Sequence, residues 1–416
     1  MKRKMQWKMI CLAGIAFLIS CTVGQAGEGF VRRDGARLTL DGREYRAIGM
    51  NCPDLFASYA GIFYHLRQCF GTEEAARQAM IDAVLEAGKN RIAFLRFYAS
   101  GFWPKDMKLY FDAPEQYWAR MDELLSLCRK HHVRLVPSIF FHIYLWPLIC
   151  GEDYRAIADP GSKTYWAMHK YATELVSRYK DDTAILAWEL SNEVFLAADL
   201  NMAGRDAPSP LTMLSPTIKT KLTVNDSLTT ATILKFYGDM TVHIQRIDPN
   251  HLVTSGDAGP RTTSVSLREN FPTPVWTQDT LRQNLASLLT SQPEPLDLVS
   301  LHHYGSLTKN DERENLGLAS SLEALRCRIR CVHAARSPVF IGEIGNTEPT
   351  LRDDREAGYV RAVIDLIEAE GVSLGAVWAW HLRLDPIHNV TAESHPTLVK
   401  RIAEFNGKYA TAGAQP

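Results

Sequence analysis

Three features that the sequence lacks narrow the classes of protein to which it can belong. Lys and Arg total 46 and Asp and Glu total 47, so no excess of charge favours nucleic acid or an anionic membrane as the partner. Eight cysteines occur among 416 residues, but none forms the Cys-x-x-Cys pair that is typical of zinc and redox sites. No internal repeat is visible, which argues against a solenoid or propeller. We therefore expect an uncharged partner.

Charge and hydropathy at the amino terminus predict export. Lys2, Arg3, Lys4 and Lys8 precede the apolar run 9–19, which is too short to span a bilayer and is typical of a secretory signal. We predict a signal peptide over residues 1–26 and a mature protein that is extracellular, periplasmic or anchored at the cell envelope. The segment 18–21, Leu-Ile-Ser-Cys, resembles a bacterial lipobox and would leave an acylated Cys21, whereas 24–26, Gly-Gln-Ala, suits ordinary signal peptidase. We lean toward lipidation of Cys21.

Beyond this leader the sequence leaves the state of the cysteines open. An exported chain permits disulfides, and six cysteines allow 15 connectivities, but a chain of this size is stable without any. The six are Cys52, Cys69, Cys128, Cys150, Cys327 and Cys331.

Strand and helix patterns alternate along the rest of the chain. Strands are predicted at 45–51, 91–98, 133–142, 183–191, 251–256, 296–301, 338–345 and 374–380, and helices at 73–87, 114–130, 165–179, 231–247, 281–289, 318–335, 355–369 and 398–405. Such alternation implies parallel strands joined by right-handed crossovers, which close into a (β/α)8 TIM barrel. Because barrels routinely exceed 250 residues, we expect one α/β domain over 27–416.

Two segments depart from the alternation. Residues 30–51 alternate apolar and polar side chains around Asp34-Gly35 and Asp41-Gly42, which predicts a hairpin before the first core strand. After the fourth strand, residues 194–228 form a long loop rich in Pro, Ser, Thr and Asn. This loop either walls a cleft or is a flexible insertion, and the sequence does not distinguish the two.

Two predicted strands end in carboxylates. Asn192 and Glu193 follow the buried run 183–191, and Glu343 lies near the end of 338–345. The glycines on either side of Glu343, Gly342 and Gly345, would let a ligand approach the backbone. Barrel enzymes gather their reactive groups at the carboxyl ends of the strands, so the pair suggests a general acid and a nucleophile. With the motifs below, the chain over residues 30–408 resembles the retaining β-glycosidases of glycoside hydrolase family 5, which include cellulases and β-mannanases.

The resemblance implies roles for particular residues. Glu193 would be the acid/base and Glu343 the nucleophile, and Asn192 would bind the 2-hydroxyl of the sugar. The family's strand-end Arg, His-x-Tyr motif and sugar-stacking aromatic would correspond to Arg96, His302 with Tyr304, and Trp380. The amino-terminal hairpin would cap the bottom of the barrel.

Three neighbouring residues receive other interpretations. Glu189 is interpreted as a structural barrel residue. The period of two places Trp378 on the same strand face as Trp380, and Trp378 is interpreted as a side chain that fills the barrel. His142 ends the third strand and either contacts substrate or is a hydrogen-bonded structural residue.

Histidines also raise the alternative of a metal centre. A site of His302, His303 and His142 would require two adjacent strand residues to share one ion, but adjacent residues point to opposite faces of a strand. We therefore expect neither a metal nor an organic cofactor.

The expected activity is retaining hydrolysis of β-glycosidic bonds in a polysaccharide or oligosaccharide, by a monomeric endo-β-mannanase-like or cellulase-like enzyme acting on β-mannan or cellulose-type β-glucan. Two alternatives remain: an exported glycan-binding protein on a barrel that has lost its chemistry, and an exo-acting β-glycosidase or transglycosylase.

Overall fold

The amino-terminal hairpin packs against the bottom of the barrel, where the strands begin. The computed structural model describes residues 28–207, 221–307, 315–347 and 351–410. Strands β1 (Val31–Asp34), β2 (Arg37–Leu40) and β3 (Arg43–Glu44) form an antiparallel sheet. The Arg32 guanidinium donates to the carbonyls of Pro249 and Asn250 at 3.0 and 2.9 Å, just before a barrel strand begins. Apolar hairpin side chains share one buried cluster with the barrel floor, so the predicted cap at the bottom is confirmed.

The barrel consists of eight parallel strands. They are β4 (Ala47–Asn51), β5 (Phe94–Tyr98), β6 (Arg134–Phe140), β7 (Ala187–Ser191), β8 (Leu252–Thr254), β9 (Val299–Gly305), β10 (Val339–Asn346) and β11 (Leu374–Trp378). Their order in the sheet is β8-β7-β6-β5-β4-β11-β10-β9. A parallel bridge between Thr254 and Leu298 joins the two ends of the sheet. The predicted (β/α)8 barrel is confirmed.

Helices cover the outside of the barrel and several loops. They are α1 (Leu55–Tyr59), α2 (Leu66–Phe70), α3 (Glu73–Lys89), α4 (Lys108–Asp112), α5 (Pro114–Lys130), α6 (Leu145–Cys150), α7 (Lys163–Tyr179), α8 (Thr230–Ile247), α9 (Ser264–Asn270), α10 (Leu281–Ser291), α11 (Ser321–Ala334), α12 (Gly358–Glu370) and α13 (Pro396–Tyr409). Short 3-10 helices span Pro104–Met107, Tyr154–Ala158, Val194–Ala197 and Val224–Asp226. In the described part of the chain no helix is long and apolar enough to cross a membrane.

Capping residues and hydrophobic periodicity in the sequence predicted the long helices correctly. The Thr72 hydroxyl accepts the amide of Ala75 at 3.2 Å and caps α3, and α5 begins at Pro114 and ends at Lys130 as predicted. Helices α1, α2, α4, α6 and α9 were not predicted. Each has seven residues or fewer, which is too short for a helical period to show in the sequence.

Several strand boundaries differ from prediction, and those of the sixth and eighth barrel strands affect the site. Strand β9 runs on to Gly305, so His302 and Tyr304 lie within a strand rather than after one. Strand β11 ends at Trp378, two residues before the predicted end at Trp380. The period of two therefore holds for His302 and Tyr304 but not for Trp378 and Trp380.

The remaining sequence expectations concern loops and cysteines. In the described parts of the long loop, Asp206 bridges to Lys221, and the Asp199 carboxylate accepts the Thr230 amide at 2.9 Å at the start of α8. Its residues 208–220 lie outside the described residues, as do the leader and Cys21. All six later cysteines are free thiols.

Candidate active site

Arg96 lies at the centre of the carboxyl end of the barrel. Its fully buried guanidinium donates from Nε to both oxygens of Glu189, at 3.0 and 2.8 Å. The Nη1 atom donates to Asn51 at 2.8 Å and to Glu343 at 3.1 Å, and Nη2 donates to Asn192 at 2.6 Å. Burial by itself would lower the pKa of Arg96, but the charges of Glu189 and Glu343 outweigh it and the pKa is raised. Arg96 thus positions two predicted site residues, with buried Glu189 as its structural counter-ion.

Glu343 accepts hydrogen bonds on both carboxylate oxygens. Besides the bond from Arg96 to Oε1, the Tyr304 hydroxyl donates to Oε2 at 2.6 Å. Burial, and then the neighbouring charge of Glu343, raise the pKa of the Tyr304 phenol well above its usual value, so this phenol remains a donor. Because Arg96 and Tyr304 both donate hydrogen bonds to the Glu343 carboxylate, they stabilise its negative charge and hold the side chain in one orientation.

Two glycines on β10 make room for these contacts. A Cβ at Gly345 would lie 2.4 Å from the ring of Tyr304, and a Cβ at Gly342 would lie 2.9 Å from Nε2 of His302. The sequence suggested that the glycines let a ligand approach the backbone. In the structure they let side chains of β9 pack against the strand that carries Glu343.

Glu193 lies just beyond β7 in a left-handed backbone conformation, with φ of 54°. Its amide donates to the Gly256 carbonyl at 3.0 Å, and its side chain is 33% exposed. Burial raises the pKa of the Glu193 carboxyl, while the charges of Arg96 and Arg261 oppose the rise. A raised pKa favours the protonated carboxyl that a general acid requires.

His302 connects the two carboxylates. Its Nδ1 lies 2.9 Å from Oε1 of Glu193 and 3.5 Å from Oε2 of Glu343. Burial lowers the pKa of the ring to about 4, so the imidazole is neutral near pH 7 and carries one proton. Because Nδ1 faces two carboxylates, we assign that proton to Nδ1.

The carboxylates of Glu193 and Glu343 are close together. Each places an oxygen within 4.8 Å of the other and of a ring nitrogen of His302. In retaining glycosidases the two carboxyl groups are about 5–5.5 Å apart, whereas inverting enzymes separate them by roughly 6.5–9.5 Å to admit a water. A closest approach within 4.8 Å agrees with the narrower spacing of the retaining class.

The same three side chains are close enough to share a cation, but the histidine site considered from the sequence does not assemble. His303 points away from the cleft to the hydroxyl of Tyr359 at 2.6 Å, and His142 contacts the Phe102 carbonyl. The guanidinium that bonds Glu343 adds a positive charge beside the remaining carboxylate–histidine group, which disfavours a metal ion there.

Trp380 does not lie in the cleft, so its prediction as the sugar-stacking aromatic is wrong. The side chain is fully buried, and its indole donates to the Ala83 carbonyl of α3 at 3.0 Å. Trp378 is partly exposed, pairs with Asn51 across β11 and β4, and lines a cavity at the carboxyl end of the barrel. Trp378 rather than Trp380 therefore faces the carboxyl end of the barrel, because alternation ends with the strand at residue 378.

His142 follows β6 and belongs to an aromatic wall. Its Nδ1 contacts the Phe102 carbonyl at 2.6 Å, and its ring stacks on Phe102 with centroids 4.5 Å apart. Burial lowers the pKa of His142 to about 4. These contacts favour the structural interpretation of this residue.

Asn51 and Asp257 hold the site together but had no predicted role. Asn51 accepts from Arg96 and donates to the Gly342 carbonyl at 2.9 Å, which ties β4, β5 and β10 together. The buried Asp257 carboxylate accepts the Phe195 amide at 2.9 Å and the Tyr237 hydroxyl, beside the turn that carries Glu193. Both residues occupy strand ends, as Glu193 and Glu343 do, and that position was the signal that could have identified them.

A parallel barrel with this carboxylate pair defines the class of retaining β-glycosidases. The family described as cellulase (glycosyl hydrolase family 5) matches residues 48–382, and the chain belongs to that family.

Curated relatives are mannan-degrading enzymes by name. Mannan endo-1,4-beta-mannosidase F of Aspergillus fumigatus is 23% identical over 285 residues, which cover 64% of this chain and 55% of that protein. Mannan endo-1,4-beta-mannosidase 1 of Oryza sativa subsp. japonica is 24% identical over 373 residues, which cover 82% and 75%. The chain spans about half the length of the Aspergillus mannan endo-1,4-beta-mannosidase F relatives it matches.

Solved structures share the fold. The endo-1,4-beta-mannanase from Rhizomucor miehei superposes with a TM-score of 0.57 at 17% identity, over 92% of this chain and 99% of that one.

Proposed function

We propose that this protein is a retaining glycoside hydrolase that cleaves β-linked mannan, with cellulose-type β-glucan as the second candidate. One observation carries the proposal. Two carboxyl groups lie within 4.8 Å of each other in different environments, one with a raised pKa and one between an arginine and a tyrosine. The names of the relatives support mannan as the first candidate and glucan as the second.

In the first step Glu343 attacks the anomeric carbon of the sugar. The bond from that carbon to the leaving oxygen breaks, and Glu193 transfers its proton to this oxygen. The product is a glycosyl ester on Glu343 and a free leaving sugar. Asn192, whose carbonyl oxygen is held by Arg96, directs its amide protons to the 2-hydroxyl, and Trp378 supplies the flat apolar surface for the ring.

In the second step a water molecule replaces the leaving sugar. Glu193, now ionised, takes a proton from the water, whose oxygen bonds to the anomeric carbon while the bond to Glu343 breaks. Two inversions restore the β-configuration. The Nδ1 proton of His302 is within reach of both carboxylates and stabilises whichever is charged.

Hydrolysis of a substrate panel tests this proposal. Purified protein is incubated with β-mannan, cellulose-type β-glucan and aryl β-glycosides, and the anomeric configuration of the first product is followed by NMR. We expect cleavage with retention and faster turnover of mannan. Binding of these glycans without any cleavage would instead support the non-catalytic alternative, and first products of inverted configuration would contradict the double displacement.

Exhaustive chelation is expected to leave activity unchanged. In this proposal the carboxylates and His302 act through proton transfer and hydrogen bonds, so no ion is required. The measurement combines rates before and after chelation with elemental analysis of the purified protein. Loss of activity that added zinc restores would show that the triad of Glu193, His302 and Glu343 binds a metal instead.

We further propose that the protein is exported and anchored through Cys21. The basic leader and the segment Leu-Ile-Ser-Cys support this proposal. Intact-mass analysis of the mature protein from a bacterial host is expected to show an amino-terminal Cys21 carrying acyl chains, and Cys21→Ala should abolish the added mass. An unmodified chain that begins at Gly27 would contradict lipidation and support ordinary signal cleavage.

A further inference from the structure

Asp257 lies directly behind the turn that carries Glu193. Its Oδ1 atom accepts the Phe195 amide at 2.9 Å, at the start of the short helix that follows Glu193. The carbonyl of the preceding residue, Gly256, accepts the amide of Glu193 at 3.0 Å. Residues 256 and 257, just after β8, therefore hold both ends of the turn 193–195.

Tight packing at Gly256 fixes the position of this carboxyl group. Gly256 has a φ of 79°, and a Cβ there would overlap the Ser191 carbonyl oxygen and lie 2.7 Å from the side chain of Glu189. The next amide, that of Asp257, donates to the Ser255 hydroxyl at 3.2 Å. Because no side chain fits between the two strand ends, the backbone after β8 packs directly on β7, and Asp257 is held against the turn.

The second oxygen of Asp257 begins a buried chain of hydroxyl groups. Oδ2 contacts the hydroxyl of Tyr237 on α8, which lies 3.2 Å from the hydroxyl of Ser191, and that hydroxyl lies 3.0 Å from the Ser255 carbonyl. These three contacts need three protons, but the phenol and the serine supply only two. A proton on Asp257 completes the set, since the acid then donates to Tyr237, the phenol to Ser191 and the serine to Ser255.

Burial and the surrounding charges also favour a proton on Asp257. Burial raises the pKa of this carboxyl to about 7, and the negative charges of Glu193 and Glu189 add to the rise, while hydrogen bonds from Phe195 and Tyr237 oppose it. Other ionisable groups nearby are Arg96, which pairs with Glu189, Arg261, whose Nε donates to the Leu196 carbonyl, and His302, whose amide donates to the Ala258 carbonyl.

We propose that Asp257 is a positioning residue that acts as a neutral acid: it holds the turn of Glu193 through the Phe195 amide without placing a second negative charge beside the acid/base. The neutral state matters most in the second step, in which Glu193 must be ionised to take a proton from water. The inference rests on the proposed hydrolase function and adds a residue to it.

Infrared difference spectra between the parent protein and Asp257→Asn test the protonation state. Asn has the shape of the protonated acid: its amide oxygen still accepts from Phe195, and its amide nitrogen donates to Tyr237. Below about pH 7 the parent should show the carbonyl band of a protonated carboxyl group, which the variant lacks and which fades at higher pH. A carboxylate band at the lower pH would overturn the neutral acid.

Stability measured against pH is a second readout of the same proton. Because the pKa of Asp257 is raised in the folded protein above its unfolded value of about 3.9, the parent loses stability as the pH rises from about 4 to about 7. The melting temperature of Asp257→Asn minus that of the parent should therefore increase over this range and be constant above it. A difference that does not change with pH would contradict the proposal.

Kinetics test the positioning role. Asp257→Ala removes the acceptor of the Phe195 amide, so kcat/KM should fall roughly 10- to 100-fold on natural sugar leaving groups and less on dinitrophenyl β-glycosides, which need little protonation by Glu193. Equal losses on both kinds of substrate would overturn the positioning of the acid/base.

The conservative variant Asp257→Asn should recover most of that loss. Its alkaline decline of kcat/KM should stay at the parent's pH, because a neutral acid and a neutral amide leave the same charge beside Glu193. A decline shifted to lower pH would show that Asp257 is ionised in the parent and overturn the proposal.

Glu174→Gln is the matched control. The Glu174 carboxylate accepts the Tyr110 hydroxyl at 2.6 Å outside the active site, so this variant makes the same carboxyl-to-amide change beside a phenol. It should change neither the pH profile nor the dependence on the leaving group. Absence of hydrolysis by the parent on every substrate would overturn the hydrolase function itself, whereas the infrared and stability readouts do not depend on that function.

Discussion

Replacing Glu343 by alanine is expected to lower hydrolysis by roughly four to six orders of magnitude on every substrate, because the variant has no group that can form the glycosyl ester. The variant should still fold. Arg96 retains its pair of bonds to Glu189, so removal of Glu343 does not leave a buried guanidinium without a counter-ion. Unfolding curves before and after the substitution check this point.

Azide should restore activity to the Glu343→Ala variant. The missing carboxylate opens the face of the sugar from which the nucleophile attacks, and a small anion can enter there. A single displacement on a β-glycoside then gives the glycosyl azide of inverted, α configuration, while Glu193 still protonates the leaving oxygen. NMR of the azide product measures this outcome.

A variant of the outer surface is the control for the nucleophile. Glu404 on α13 is exposed, and its 4.0 Å contact with Lys400 is weak, so Glu404→Ala should keep the parent rate and show no response to azide. Near-normal activity of Glu343→Ala, or a rescued product with retained configuration, would rule out Glu343 as the nucleophile.

Replacing Glu193 by alanine is expected to produce losses that depend on the leaving group. Dinitrophenyl β-glycosides need little protonation, so the first step should remain fast for them, whereas natural sugar leaving groups should react about 100- to 10,000-fold more slowly. Glu343 remains in place, so a covalent intermediate still forms and accumulates because no base activates water. Azide should attack this intermediate and yield the β-glycosyl azide with net retention.

The pH dependence follows from the same residue. The first step needs protonated Glu193, and burial raises the pKa of this carboxyl, so the parent rate on sugar leaving groups should decline as the pH rises through that value. In Glu193→Ala this alkaline decline should disappear. The measurement is the pH profile of kcat/KM together with the rates on aryl glycosides of graded leaving-group acidity. Equal losses on good and poor leaving groups, or an azide product of inverted configuration, would show that Glu193 is not the acid/base.

The positions of the two catalytic carboxylates could be predicted from the sequence, but the distance between them could not. Glu193 and Glu343 could be selected because each follows a buried strand, and parallel strands of a barrel end on the same face. The spacing between their oxygens could not be predicted, since it depends on the register between β7, β9 and β10 and on the bridge through His302.

Trp378 and Trp380 show that strand alternation predicts side-chain direction only within a strand. Alternation predicted that Trp378 and Trp380 share a face, but the rule applies only while the chain remains a strand. Strand β11 ends at Trp378, and Trp380 turns inward to bond the Ala83 carbonyl of α3, almost 300 residues away in the sequence. Cysteine pairing was undetermined for a similar reason, because bridging requires proximity that spacing along the chain does not report.

The sequence by itself determined the barrel, its long helices and the two strand-end carboxylates, because hydrophobic periodicity and helix caps act between residues close together in the chain. Only the tertiary structure decided which tryptophan faces the cleft, how Asn51 and Asp257 support the site, and where the cavity beside Trp378 lies. That cavity is lined by loops after β4, β5 and β11, which meet only because the closed barrel brings the first and last strands together. Contacts between these loops join residues more than 300 positions apart, such as Arg383 and Cys69, and no local pattern encodes such pairs.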